Sequence, residues 1–374
     1  MEKLVVPTKI YSGADSLSVL GDIQNARILM VCDSFLPGTD SLNIICDQLA
    51  STNQVRLFSD IKPDPPLENI MSGVEVYQEV QPSVIIAVGG GSAIDTAKAI
   101  RFFGEKLTNQ KVGNFVAIPT TSGTGSEVTN TAVVSDTKNG VKFPIIKDHL
   151  IPDIAILDPT LVMSAPNSVT AFSGLDVLTH ALESLVANDA NLYTDALAEK
   201  SIQVIIAHLV ETYQHGTDFD LRHKIHDASC AAGLAFNTAG LGICHSLAHQ
   251  IGAKFHVPHG LANAMLLPYV VEFNARDKQV AAKYAAAIGK TDLASASFST
   301  NDQVLIKRLQ KQIFTMMKAM KCPKTLKEFG ISESDVRENM EWIVSHARED
   351  GTFPGNPVVP TNQELAHIVE SIIK

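Results

Sequence analysis

Along the first 160 residues, short β-branched apolar runs alternate with segments that carry apolar residues at helical spacing. The runs "ARILMVCD" (26–33), "QVRLFSD" (54–60), "SVIIAVGGG" (83–91), "NFVAIPT" (114–120) and "DIAILDP" (153–159) each end in turn chemistry and predict buried strands. Segments 64–81 and 92–104 between them predict helices. Strand–helix–strand alternation of this kind predicts a mostly parallel sheet covered on both faces. "TAVVSD", "TKNG" and "VKFPII" (131–146) predict a hairpin laid on that core. Beyond residue 160 the period-two runs nearly vanish. Helical spacing takes over at 170–187, 193–214, 221–237, 241–253, 261–274 and onwards. The pattern therefore predicts an α/β N-terminal domain over 1–160 and an all-α C-terminal domain over 161–374; their motifs make the first a candidate dinucleotide-binding domain and the second a candidate metal-binding domain. "DPTLVMSAPNSV" (158–169) is the junction.

Two glycine-bearing loops give the first domain its chemistry. In "VIIAVGGGSAIDTAKAI" (84–100) a strand, a glycine turn and a helix follow one another, so exposed N–H groups and the helix dipole favour an anion near Gly90, Gly91 and Ser92. "IPTTSGTGSE" (118–127) offers the hydroxyls of Thr120, Thr121 and Thr124 after a second strand. Both loops are expected at the carboxyl edge of the sheet, where open α/β sheets bind ligands. A third strand ends in Asp33, whose carboxylate can accept hydrogen bonds from an adenosine ribose and would repel a 2′-phosphate. That favours NAD over NADP.

In the second domain, histidines stand out against an apolar background. "FSGLDVLTHALESLVA" (172–187) sets Asp176 and His180 on one helical face, with Glu183 on the same stripe. "GICHSLAHQIGAKFHVPHGLANAMLLP" (242–268) holds four of the chain's twelve histidines: His245 and His249 at i,i+4, His256, and His259 in a "PHG" turn. Unpaired charge on an apolar face is costly, so these groups require partners. A carboxylate and up to three imidazoles suit a divalent transition metal. Asp176, His180, His245, His249 and His259 are five candidates for four places. His256 is the poorest by register, and His208, His215, His223 and His226 are expected to be solvated.

Composition narrows the classes. Forty acidic against thirty basic residues give a net charge of −10 without a Lys/Arg cluster, which disfavours nucleic acid or anionic lipid as a partner. The five cysteines form no CxxC pair and predict a reducing, cytoplasmic setting, with Cys244 a small buried hydrophobe. No basic segment followed by an apolar core opens the chain, and no apolar run approaches the ~20 residues that span a bilayer. Neither a secretory signal nor a membrane span is expected.

The segments "GGGSAIDTAK", "PTTSGTGSEVT", "GLDVLTHALES" and "AGLGICHSLAHQIGAKFHVPHGLANAMLLP", in this order and across essentially the full chain, resemble the iron-dependent (group III) alcohol dehydrogenase family. The resemblance implies that Asp176, His180, His245 and His259 hold the metal, Fe2+ or alternatively Zn2+. His249 then lies near the metal without coordinating it and becomes a candidate proton relay. It further implies NAD(H) bound by Asp33, Gly90, Gly91, Ser92, Asp95, Thr120, Thr121 and Thr124, with Lys142 facing the cofactor. Thr131 and Phe236 would shape the substrate pocket. A homodimer is implied.

Within the family, "TKIYSGADSL", "FSDIKPDPP" and "TDALAEKS" resemble the branch that serves bacterial propanediol utilisation. That branch reduces propionaldehyde to 1-propanol and regenerates NAD inside a protein-shelled microcompartment, among other encapsulated enzymes and shell proteins. Two positions depart from common family patterns. Asp64 replaces an Asn and should disfavour NADP further. Thr131 replaces the Asn of some lactaldehyde-reducing relatives, which suits a plain short aldehyde. Lactaldehyde, diol or ethanol dehydrogenases of the family, and a zinc polyol dehydrogenase of the same superfold, are the alternatives. A metal-dependent hydrolase, which would need the Asp/His cluster without the nucleotide loops, is the reading from outside the class.

Overall fold

The computed structural model describes residues 2–63, 65–136, 141–291 and 301–374. Val6–Ala165 form one compact unit, and Pro166–Lys374 together with the chain's first residues, up to Val5, form another. Among the described residues, no helix is long and apolar enough to cross a membrane.

The first unit is built on a six-stranded parallel sheet of β1 (Lys9–Ser12), β2 (Arg27–Cys32), β3 (Gln54–Phe58), β4 (Val84–Gly89), β5 (Asn114–Pro119) and β8 (Ile154–Leu157). Its order is β1-β8-β5-β4-β2-β3. Alternate side chains of β2 and β4 enter opposite cores: Leu29, Val31, Ile85 and Ala87 on one face, Ile28, Met30, Val84 and Ile86 on the other. Helices α2 (Leu67–Val80) and α3 (Gly91–Thr108) cover the first face, while α1 (Asp40–Asp47) contributes Leu42 and Ile45 to the second. A sheet buried on both faces explains the near-continuous apolar runs. Every strand predicted from those runs is present.

The sheet also gains β1, which the apolar pattern does not predict. All four of its residues are exposed, and pairing with β8 alone places it. The hairpin of β6 (Thr131–Asp136) and β7 (Val141–Ile146) is antiparallel and buries Ala132, Val134 and Ile145 against the α2/α3 face. Its "TKNG" turn lies outside the described residues.

From β2 the chain moves outward to β3 and then returns to the other side of β2 as β4. The strand order therefore reverses between β2 and β4, and the crevice at their carboxyl ends lies between Asp33 and Gly89–Gly91.

The second unit is helical. Helix α4 (Asn167–Val186) packs against α5 (Leu192–Gln214), α6 (Phe219–Ala239), α8 (His259–Asn274) and α9 (Lys278–Gly289), and α7 (Ile243–Phe255) packs on α8. Nearly the whole C-terminal three-quarters of α4 is buried, polar residues included. Among the described residues the chain continues through α10 (Asp302–Ala319) to shorter helices, the last of them Asn362–Glu370. Of the histidines expected to be solvated, His226 is buried instead, because α6 presents that face to its neighbours. His208 and His223 are partly exposed beside Glu211 and Asp227.

Candidate functional sites in the two units

At the strand-order reversal, Gly90 caps α3 in extended conformation without a side-chain cap, so the helix end stays open to an anion. The Gly90 N–H donates to Asp33 Oδ2 at 2.8 Å. Asp33 thus holds the glycine turn with one carboxylate oxygen. Burial raises its carboxyl above the usual range, and the Gly90 hydrogen bond opposes that rise. Gly89 is required here for two reasons: its φ is +148°, and a Cβ would lie 2.4 Å from Asp33 Oδ2. The second loop is tied to the first, since Thr120 N–H donates to Gly89 O at 3.0 Å. Thr120 is buried, Thr121 and Ser92 are partly buried, and Thr124 is exposed.

Asp95, four residues beyond Gly91, accepts from Ser126 Oγ at 2.6 Å and from Val133 N–H at 3.0 Å. Burial raises its carboxyl, against the pull of Lys98 and of these two hydrogen bonds. Thr131 Oγ1 donates to Asn130 Oδ1 at 3.1 Å. Asp64 lies outside the described residues, and of Lys142 only the backbone in β7 is described.

In the helical unit, α4 presents Asp176 and His180 one turn apart, α7 presents His245, and α8 begins at His259. Gly260 lets α8 start hard against α4, for a Cβ there would lie 2.1 Å from Phe172 O. One potential ligand atom from each of Asp176, His180, His245 and His259 falls within 4.8 Å of the others. His245 Nε2 is 3.7 Å and His259 Nε2 3.6 Å from Asp176 Oδ1. Four ligands about 2.1 Å from a tetrahedral ion lie about 3.4 Å apart, so the cluster has the right size. Asp176, His180 and His245 are buried, while the His259 side chain is 42% exposed, which leaves one side open as a catalytic site requires.

The donor set fits a metal by chemistry as well as by size. His245 Nδ1 is held by Glu183 Oε2 at 2.5 Å, while the buried Nε2 has no hydrogen-bond partner. Burial, then the neighbouring His259 and His249, push the His245 imidazole well below its ordinary pKa. Both shifts favour the neutral ring, and with Nδ1 donating to Glu183 its Nε2 lone pair would face the cluster. Glu183 also accepts the N–H of Cys244 at 2.7 Å and that of His245 at 3.3 Å, at the start of α7. Burial raises the Glu183 carboxyl to about 7, even though these donors pull it down.

Asp176 Oδ1 is itself held by Asn263 Nδ2 at 2.8 Å. Cys244 is fully buried, its thiol pushed up by burial and by Glu183 and Asp176. His256 stands apart as the exposed, left-handed cap of α7.

His249 stacks on His259 with ring centroids 5.3 Å apart, and Asp350 Oδ2 holds its Nδ1 at 2.8 Å. Burial would raise the Asp350 carboxyl, but the His249 hydrogen bond and charge, with two bonds from Thr352, hold it below the usual range. Phe236 lies flat on His180, with centroids 4.5 Å apart.

Sequence reasoning did not assign Glu183, Asn263 or Asp350. Glu183 was legible as the third polar residue on the Asp176/His180 stripe, and Asn263 follows His259 by one helical turn. Asp350 lies 101 residues from His249, and no local pattern marks it.

Residues 7–159 match the iron-containing alcohol dehydrogenase family, and residues 170–373 match the C-terminal region of the Fe-containing alcohol dehydrogenase family. The chain belongs to the iron-containing alcohol dehydrogenases. It is an enzyme, an alcohol oxidoreductase, and the hydrolase reading falls away.

Among relatives of this iron-containing alcohol dehydrogenase, the 1-propanol dehydrogenase PduQ of Citrobacter freundii is 40% identical over 373 residues, covering 100% of both chains. An NADPH-dependent butanol dehydrogenase of Clostridium saccharobutylicum is 35% identical over 390 residues, covering 100% of this chain and 98% of its own. The crystal structure of a 1,3-propanediol oxidoreductase superposes with a TM-score of 0.91 at 30% identity and covers 100% of both chains.

Proposed function

We propose that the enzyme reduces a short-chain aldehyde, propionaldehyde first, to the primary alcohol with NADH, and so regenerates NAD. The observation that carries the reading is the Asp176–His180–His245–His259 cluster with its orphaned Nε2 on His245. These four side chains would hold Fe2+, or Zn2+ in its place. When bound, the ion supplies Lewis-acid polarisation of the aldehyde oxygen and NADH supplies the hydride.

The chain's own residues do the rest. Glu183 keeps the His245 proton on Nδ1, and Asn263 orients Asp176. Phe236 offers a flat apolar wall over His180, suited to a short alkyl chain. His249, held at Nδ1 by Asp350, has Nε2 as the nitrogen through which the product oxygen gains its proton.

Asp33 holds the glycine turn with Oδ2 and keeps Oδ1 for an adenosine ribose, which supports NAD over NADP. The glycine turn at Gly90, Gly91 and Ser92, and Thr120, Thr121 and Thr124 in the second loop, receive the pyrophosphate, with Asp64 and Lys142 as further cofactor contacts. Likeness to a 1-propanol dehydrogenase supports the substrate, and we place the enzyme as a homodimer in the cytoplasm, inside a bacterial microcompartment.

The test is anaerobic reconstitution with Fe2+ followed by NADH and NADPH oxidation against C2–C4 aldehydes. The expected result is a kcat/KM that favours NADH and peaks at propionaldehyde. Equal turnover with NADPH, or a preference for hydroxylated aldehydes, overturns it.

A further inference from the structure

Lys98 is a buried cation for which the mechanism above has no use. It lies on α3, two turns from the glycine cap, and no part of it reaches solvent. Its three ammonium protons are all directed at one segment. Nζ donates to Ser126 Oγ at 3.0 Å, to Thr129 Oγ1 at 3.1 Å and to the carbonyl of Thr131 at 2.8 Å. Asp95, one turn earlier on the same helix, completes the contact through Ser126 Oγ and the Val133 N–H.

Two side chains of α3 therefore grip four residues between 126 and 133. That stretch joins the hydroxyl-rich loop, which ends at Glu127, to strand β6, which begins with the pocket residue Thr131. The glycine cap that opens α3 and the loop that carries Thr120, Thr121 and Thr124 are thus set relative to one another through this buried pair. A purely apolar contact would hold the same elements together without selecting a register. Three directed N–H bonds and a paired carboxylate select one.

We infer that Lys98, acting with Asp95, is a positioning residue that sets segment 126–133 for nucleotide and substrate. It touches neither of them. The inference rests on the reading of these loops as the nucleotide and substrate face.

The test is K98M in the metal-loaded enzyme, with NADH affinity read by fluorescence titration and aldehyde KM and kcat read separately. The expected result is a dissociation constant for NADH raised roughly tenfold or more, the scale of one to two lost buried hydrogen bonds. Aldehyde KM should rise with it while metal content stays at the wild-type value, because the ligand cluster belongs to the other unit. A lysine that only stabilised the fold would lower the melting temperature and leave both constants unchanged at temperatures well below it.

Should K98M not fold, S126A/T129V decides, since it keeps both charges and removes two of the three anchors. Wild-type NADH affinity and KM in whichever variant folds overturn the inference. A wild-type enzyme that does not bind NADH overturns the underlying reading and the inference with it.

Discussion

Replacing Glu183 by glutamine tests the metal centre without touching a ligand. In the wild type, the carboxylate accepts from Cys244 N–H, His245 N–H and His245 Nδ1, and both side chains of the Glu183–His245 pair are 2% exposed. Glutamine has nearly the same shape but only one acceptor oxygen. If that oxygen takes the place of Oε1 and keeps the Cys244 amide, its NH2 takes the place of Oε2, faces His245 Nδ1, and the ring must accept there. The His245 proton then moves to Nε2, the atom 3.7 Å from Asp176 Oδ1, and blocks the lone pair that a metal needs.

Restoring the binding tautomer sets the glutamine NH2 against the His245 Nδ1–H in a buried site and leaves a donor unsatisfied, which costs about 1–3 kcal/mol. At 1.4 kcal/mol per tenfold, metal affinity should fall roughly 10–100-fold, as for other carboxylates that orient metal-bound histidines. The assay is competition of metal-free wild type and E183Q against a chelator of known affinity, with thermal melts of both metal-free proteins as a control for folding. Unchanged metal affinity in a folded E183Q would show that Glu183 serves only to cap α7.

Other substitutions separate the remaining roles. D33S should raise the ratio of kcat/KM for NADPH over NADH, and should also weaken NADH binding because the Gly90 N–H loses its acceptor; an unchanged ratio refutes the ribose assignment. H259A and H180A should each lose bound metal and nearly all activity, whereas H256A should keep both; metal analysis that finds H256A empty and H259A full would refute the ligand set. H249A should keep metal and NADH but lower kcat by ~10²-fold, the scale of general acid–base catalysis, and wild-type kcat in that variant would leave the ring a packing role. Burial lowers the Lys98 ammonium from 10.5 to about 8, so between these values the unfolded chain binds more protons than the native one and stability rises with pH. The melting difference between metal-free wild type and K98M should therefore shift in favour of the wild type from pH 8 to 10, and a constant difference would refute the shift.

The layers of the fold were readable because burial on both sheet faces forces unbroken apolar runs, and because α5 and α6 carry apolar residues at helical spacing behind the side-chain caps Asn191 and Asp218. Strand β1 escaped because exposed residues carry no periodic signal and its partner, β8, lies more than 140 residues on. The Asp176/His180 and His245/His249 pairs were readable because a helix converts i,i+4 spacing into adjacency. His259 was readable as a fifth candidate and, through the resemblance, as a ligand; what no spacing rule encodes is the close approach that brings it in, which depends on Gly260 admitting the Phe172 carbonyl. His226 shows the converse failure. Its polar flanks, His223, Lys224 and Asp227, mark a solvated stretch, but the helix turns this one ring inward.

The acidic residues explain why motif reading identifies candidates but does not divide the work among them. A carboxylate has two oxygens, and in both units the chain itself engages at least one. Asp33 gives Oδ2 to the Gly90 amide, Asp95 divides its pair between Ser126 and Val133, and Asp350 divides its own between Thr352 and His249. In Asp176, Oδ1 is the atom that both meets Asn263 and faces His245 and His259. A sequence shows an acid in a motif and assigns the whole residue to the ligand. Geometry assigns oxygens. For Asp33 one oxygen holds the glycine turn and the other is left over; under the proposed ribose assignment, removing the side chain changes affinity and selectivity together. For Asp95 both oxygens are taken, so under the proposed nucleotide reading any effect on the cofactor runs through Ser126 and the backbone of β6. The same residue type at neighbouring strand ends therefore predicts two different kinetic signatures: a changed NADPH/NADH ratio at Asp33, and a loss of affinity common to both nucleotides at Asp95.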